Sequence, residues 1–244
     1  MSLSTIIATA QENKRPVSIG YLVAGFPHND TFTKTVTEVA QYCDIVEIAI
    51  PFSDPVADSP MAEKIGLEGV AKGVNFAYVF AALASLPREI TSRLIISGYY
   101  NNFLQYTFPR LAEQCQALGI TTVMIHDLPT GEDGLLRASC PSLQIVPLLA
   151  AATTQERIDA YTQKPAPLVF IVPAIEASGA DNAIQRCLTT LEATQELFAE
   201  PMGIRFDASA LPKNYREKAA FVWHETALLE HIQTGKSVAS FFGK

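Results

Sequence analysis

The chain has 244 residues, 48% of them hydrophobic, and a formal net charge of −7 with only 18 Lys and Arg. That length suits one α/β barrel of ~250 residues, and scattered basic residues on an acidic chain exclude the clustered cations that a nucleic-acid partner requires. Residues 1–15 are polar and mixed, no apolar run reaches the ~18 residues of a membrane span, and Cys43, Cys115, Cys140 and Cys187 form no CxxC pair or zinc-ligand spacing with the four His residues, so the expectation is a soluble cytoplasmic protein with reduced thiols and no metal.

A first helix over about 2–12 precedes a strand at 17–23. The stretch 30–42 places Phe32, Val36, Val39 and Ala40 at helical spacing, and a second strand follows at 45–50. The segment Pro51–Pro60 is a loop stiffened by three prolines, which fix φ and remove backbone donors, and a helix begins near Met61. Further strands are expected at 93–98, 121–126, 143–149, 167–172, 202–206 and 220–223. Between them lie helices at 103–118, ending at Gly119 as a C′ residue, at 154–163, with Thr153 or Thr154 as N-cap and Glu156 in the first turn, and at 180–198. Short apolar runs bounded by turn signals fit strands buried on both faces. Eight alternating units predict a (β/α)₈ TIM barrel, a single domain over 1–244 whose first helix covers the lower end. The alternative is an open doubly wound sheet, but Val23-Ala-Gly-Phe-Pro27 is not the glycine-rich turn that such a sheet advertises.

In such a barrel the functional site lies at the C-terminal ends of the strands. Glu47 stands inside the second strand between Val46 and Ile48, where burial should raise its pKa and suit it to exchanging protons near neutrality. A strand Glu paired with a nearby cation is the structural alternative. Asp54 and Asp58 follow in the stiffened loop. Tyr99, Tyr100 and Asn101 follow the third strand. Asp127 follows the fourth and reads equally well as an N-cap or turn residue. His126 and His224 also fall at strand ends, where a lone His is more often structural.

The segment Glu47-Ile-Ala-Ile-Pro-Phe-Ser-Asp-Pro-Val-Ala-Asp58 resembles the signature of the tryptophan synthase alpha chain family. Gly20-Tyr-Leu-Val-Ala-Gly-Phe-Pro27, Gly98-Tyr-Tyr-Asn101 through Tyr106, Ile125-His-Asp-Leu-Pro129 and Ala150 through Ile158 are similar to its further segments. The resemblance implies a TIM barrel that cleaves indole-3-glycerol phosphate by a retro-aldol reaction to indole and glyceraldehyde 3-phosphate. It implies no cofactor, and an αββα complex with a beta chain that receives the indole. Carried over by motif, Glu47 is the general acid–base, Asp58 pairs with the indole N–H, and substrate contacts fall at Tyr21, Tyr100, Asp127, Phe170, Gly179 and Phe206.

The chain departs from the family pattern at several points. The family's Asp-Gly-Pro is Asp58-Ser59-Pro60, the first-strand Thr is Val23, and Phe170 stands where a tyrosine hydroxyl is usual. At the phosphate site Gly179 matches, but the usual G-F-G-I becomes Ile204-Arg-Phe-Asp-Ala208, and the usual G-S becomes His224-Glu225. Carboxylates there oppose phosphate. The alternative reading is therefore a diverged homologue that modulates a partner without catalysis, or one that acts on a related unphosphorylated indole.

Overall fold

The computed structural model describes residues 2–129, 131–150, 153–164, 166–173, 180–217 and 219–244, with Ala180 and Asp181 described by backbone alone. Among the described residues, nine strand segments alternate with helices: β1 (Val17–Val23), β2 (Ile45–Ala49), β3 (Leu94–Gly98), β4 (Thr122–Ile125), β5 (Gln144–Ile145), β6 (Leu148–Ala150), β7 (Val169–Val172), β8 (Met202–Ile204) and β9 (Phe221–His224). They form two parallel arcs, β5-β4-β3-β2-β1-β9 and β6-β7-β8. β2 and β3 are buried at every position, as expected of strands covered on both faces.

Two junctions connect the arcs into a ring. The expected strand 143–149 is split into β5 and β6 around Val146-Pro147, yet it still pairs on both sides. Val146 N–H donates to Val123 O at 2.9 Å, and Phe170 N–H donates to Pro147 O at 3.1 Å. Pro147 itself has no N–H to give, so the ladder is interrupted there. On the other side Asp207 bridges Trp223 in parallel, and Ala208 N–H donates to Trp223 O at 2.8 Å. The result is eight strand positions around a barrel.

The helix Leu3–Glu12 is capped by the Ser2 hydroxyl, which accepts Thr5 N–H, and it buries Leu3, Ile6, Ile7 and Ala10. That i, i+3, i+4, i+7 stripe is the signature of one packed face. The helix expected over 103–118 is two helices, Tyr100–Tyr106 and Phe108–Leu118. The break falls at Thr107, whose φ is 74°, two residues before Pro109. A proline inside a continuous helix would clash with the preceding turn, so the chain restarts there. Gly119 closes the second helix in the left-handed conformation, as its sequence position implies.

Gly203 in β8 shows how the barrel interior is filled. A Cβ there would lie 2.7 Å from the Phe221 ring. That ring in turn meets Phe170 edge-on with centroids 4.7 Å apart. The four cysteines are buried and unpaired. Among the described residues no helix is long and apolar enough to cross a membrane, and no His/Cys/Asp/Glu group could hold a metal.

Candidate active site

Glu47 points from β2 into the barrel and is fully buried. An ionised carboxylate at such a place needs compensation from charge and hydrogen bonds. Arg205, just past β8, supplies both, donating from Nη2 to Glu47 Oε1 at 2.9 Å. Trp223 in β9 donates from Nε1 to the other oxygen at 2.9 Å. His126 Nε2 stands 3.6 Å from Oε1. The Arg205 guanidinium also lies over the Trp223 ring at 4.3 Å, a position that stabilises a desolvated cation.

This geometry corrects one sequence expectation. Burial does push the Glu47 pKa up, but Arg205 and then His126 outweigh it, and the carboxyl is held at about 2. Glu47 is an anchored anion near neutrality. The signal for its partner lay in the sequence, since Arg205 directly follows a buried strand, but 158 residues separate the two.

Asp58 is held at the rim by the loop that follows β2. The Tyr99 hydroxyl donates to Asp58 Oδ1 at 3.1 Å and accepts Ala57 N–H at 2.9 Å. The Tyr99 ring stacks on Phe52 at 4.9 Å, and Asn102 Nδ2 donates to Pro51 O at 2.9 Å. Tyr99 thus supplies a hydroxyl beside Asp58, while Phe170 is buried in the barrel floor. The same Asp58 oxygen also meets His126, whose Nδ1 lies 3.4 Å from Oδ1. One imidazole therefore stands between the two carboxylates.

The segment after β8 shows what the departures do. Asp207 Oδ2 accepts the backbone N–H of Glu225 at 2.9 Å and of Ala227 at 3.2 Å. These groups belong to the entry of the helix Thr226–Gln233. Asp207 Oδ1 takes Ser209 N–H at 2.9 Å and the Ser209 hydroxyl. A helix N-terminus attracts an anion, and here a side chain of the same protein is that anion. Two further departures, Ser59 and Glu225, fit each other. Ser59 donates its hydroxyl to Glu225 Oε1 while accepting Ala62 N–H as N-cap of the helix Pro60–Ala71. Thr226 donates its hydroxyl to Glu225 Oε2. Burial nonetheless raises the Glu225 pKa, against the lowering effect of these two hydroxyls.

These residues surround a cavity of about 610 Å³ walled by Val56, Asp58, His126, Arg205, Phe206 and Trp223 among others. That size accommodates a small bicyclic ligand with a short chain. Glu47 lies behind this wall. Tyr21 packs beneath it, with its ring 5.4 Å from Trp223 and its hydroxyl without a hydrogen-bond partner among the described residues. Phe206 faces the cavity. Tyr100 and Asp127 instead meet each other, Asp127 Oδ1 accepting Tyr100 N–H at 2.6 Å. That is a cap on the helix Tyr100–Tyr106, in line with the turn reading of Asp127. Gly179 lies outside the described residues. The residues that sequence reasoning did not assign to the site are Arg205 and Trp223 as partners of Glu47, and His126 as more than a structural histidine, while Tyr99 is a rim candidate whose partner Asp58 the sequence does not show.

A family model described as Tryptophan synthase alpha chain matches residues 7–220. The chain belongs to the tryptophan synthase alpha chain family. Among its relatives, the tryptophan synthase alpha chain of Desulfovibrio desulfuricans is 31% identical over 98% of this chain and 96% of that protein. That of Solidesulfovibrio magneticus is 30% identical over 99% and 97%. A solved Aquifex aeolicus VF5 structure superposes with a TM-score of 0.87 at 25% identity, over 99% of this chain and 95% of that one. A chain of the Pyrococcus furiosus tryptophan synthase a2b2 complex superposes with a TM-score of 0.78 at 20% identity, over 92% and 94%, which speaks to the fold. As a member of this family the chain is a carbon–carbon lyase of tryptophan biosynthesis, built as a TIM barrel.

Proposed function

We propose that the chain cleaves indole-3-glycerol phosphate to indole and glyceraldehyde 3-phosphate in the cavity above Glu47, without a cofactor, and hands the indole to a beta chain in an αββα complex. The observation that carries this reading is the file Glu47–His126–Asp58, with separations of 3.6 and 3.4 Å, running from inside β2 past the end of β4 to the loop after β2. Retro-aldol cleavage must move one proton from a hydroxyl to the indole ring carbon and stabilise a transient positive charge on the ring. Asp58, on the cavity wall, is placed to accept the indole N–H and oppose that charge. Glu47, the general acid–base by family motif, supplies the buried carboxylate beneath the cavity, paired with Arg205 and Trp223. Val56, Phe206 and Trp223 provide apolar and aromatic walls for the indole.

The purified protein mixed with indole-3-glycerol phosphate, with and without a beta chain, should release indole. Release no greater than that of an enzyme-free control would sink the reading.

A further inference from the structure

We propose that Arg205 is a substrate-binding catalytic residue of this chain: its guanidinium, anchored on Glu47 and Trp223, donates to the oxygen on the carbon attached to the indole ring and stabilises that oxygen as the carbonyl forms. The inference rests on the retro-aldol reading above and deepens it. The usual G-F-G-I segment sets a glycine opposite Arg205, so this cation is the chain's own addition to the site. Among the described residues that wall the cavity it is the only Lys or Arg.

The guanidinium is held from two sides. Nη2 donates to Glu47 Oε1 at 2.9 Å, and the group lies 4.3 Å from the centre of the Trp223 ring. These contacts fix its position, but they do not use all five of its N–H donors. Nε is buried and has no hydrogen-bond partner among the described residues. The Tyr21 hydroxyl is a second such atom, and its ring centre lies 5.8 Å from the guanidinium. Buried polar groups are normally paired, and the Arg205 side chain is only 8% exposed, so bulk water does not meet the need. An oxygen-bearing ligand in the cavity would.

The neighbouring groups select which oxygen that is. Asp58 takes the indole N–H, and Glu47 takes the proton of the hydroxyl on the ring-attached carbon. That hydroxyl must come within ~2.6–3.2 Å of the Glu47 carboxylate to react. Trp223 Nε1 covers one carboxylate oxygen and Arg205 Nη2 the other, so an oxygen arriving from the cavity meets the carboxylate beside the guanidinium. Burial presses Arg205 toward its neutral form, but the Glu47 charge outweighs it and the pKa is raised, so the group meets the ligand as a cation. The bond from the ring carbon to the hydroxyl-bearing carbon breaks, and its electron pair returns to the ring. The hydroxyl proton passes to Glu47, and Glu47 passes one proton to the ring carbon, so the carboxyl ends as it began. The oxygen gains negative charge during its proton loss and becomes the carbonyl oxygen. A fixed cationic donor in a site poor in water lowers the barrier to that change. No oxidant or reductant is consumed.

The test is ligand binding by the full chain, read by titration calorimetry near neutral pH. Indole-3-carbaldehyde carries an oxygen on the ring-attached carbon and has no hydroxyl to lose, and 3-methylindole is the same ring without the oxygen. Wild type should bind the aldehyde ~10-fold or more tightly than 3-methylindole, the usual reach of a hydrogen bond from a charged donor. Arg205→Met should abolish that preference, and Glu47→Gln should keep it. The double variant Glu47→Gln/Arg205→Met leaves no stranded charge, so it repeats the measurement should Arg205→Met alone fail to fold. Arg205→Lys keeps the charge but loses the planar fork, and should lower kcat for indole release by ~10-fold or more. A preference unchanged in the folded double variant, or an unchanged kcat in Arg205→Lys, would overturn the role of Arg205. A wild type that shows the preference yet releases no indole from indole-3-glycerol phosphate would instead overturn the lyase reading beneath it.

Discussion

Arg205 and Glu47 form an ion pair at 2.9 Å inside the barrel, between a residue of β2 and one just beyond β8. It ties opposite parts of the chain through a contact that only the closed ring allows. Removing one partner strands the other charge in a nonpolar interior, which costs about 3–5 kcal/mol. Arg205→Met should therefore destabilise strongly in urea unfolding at pH 7, and the double variant Glu47→Gln/Arg205→Met should recover much of that loss. The pH dependence carries a sign. In the wild type Glu47 titrates at about 2 against an ordinary 4.5, so its contribution is full above the ordinary value and is lost as pH falls through about 2. In Arg205→Met burial acts unopposed by Arg205, and the slope contributed by Glu47 should reverse.

Tyr99→Phe removes a hydroxyl that both donates to Asp58 and accepts Ala57 N–H. Leaving these groups short of a partner costs about 1–3 kcal/mol. The expected outcome is a measurable loss of thermal stability together with a lower kcat, because Asp58 is less firmly aimed. A variant with unchanged kcat would show that Tyr99 holds the loop without affecting the chemistry.

Ser59 and Glu225 should behave as a pair. Ser59→Gly costs only a few tenths of a kcal/mol as a cap, but it also takes a donor from the buried Glu225 carboxyl. A double-mutant cycle with Glu225→Ser should show a coupling of about 0.5–3 kcal/mol. The Glu225 pKa, already raised by burial, should rise further in Ser59→Gly. Its contribution is present below the ordinary carboxyl value and is lost as pH rises through the folded value, so the penalty of Ser59→Gly should be larger at pH 7 than at pH 4.

Asp207 occupies the two N–H groups at the entry of the helix Thr226–Gln233. A phosphate tail should therefore add little to binding in this chain. The dephosphorylated substrate, 3-indolylglycerol, should be cleaved with kcat/KM within about tenfold of its phosphate ester, a difference of ~1.4 kcal/mol. Asp207→Gly frees the N–H groups and should favour the phosphate ester specifically through KM. A wild-type preference far above tenfold would show that the phosphate finds another hold.

Much of the barrel was legible because buried parallel strands write themselves as short apolar runs. Residues 17–23 are the observed β1, and Ile45–Ala49 differs from the expected strand by one residue. Two of the errors come from prolines. Pro147 divides the fifth strand, and Pro109 forces the helix to restart after Thr107. At the site, Glu47 and Asp58 stand out because a carboxylate in an apolar strand and a stiffened acidic loop are local signals. Their partners are not local. His126 gives no sequence sign that two carboxylates converge on it, and Trp223 reads as one more apolar strand residue until β9 pairs with β1 and turns its N–H toward Glu47.

The Asp207 contact has a consequence for how the barrel meets its surroundings. A group covalently attached to the chain is present at its own binding point at an effective concentration of millimolar or more, whatever the solution contains. Inorganic phosphate, sulfate and phosphorylated metabolites must displace that tethered carboxylate before they can lodge at the helix entry. The rim of this barrel is insulated from the anion content of its solvent.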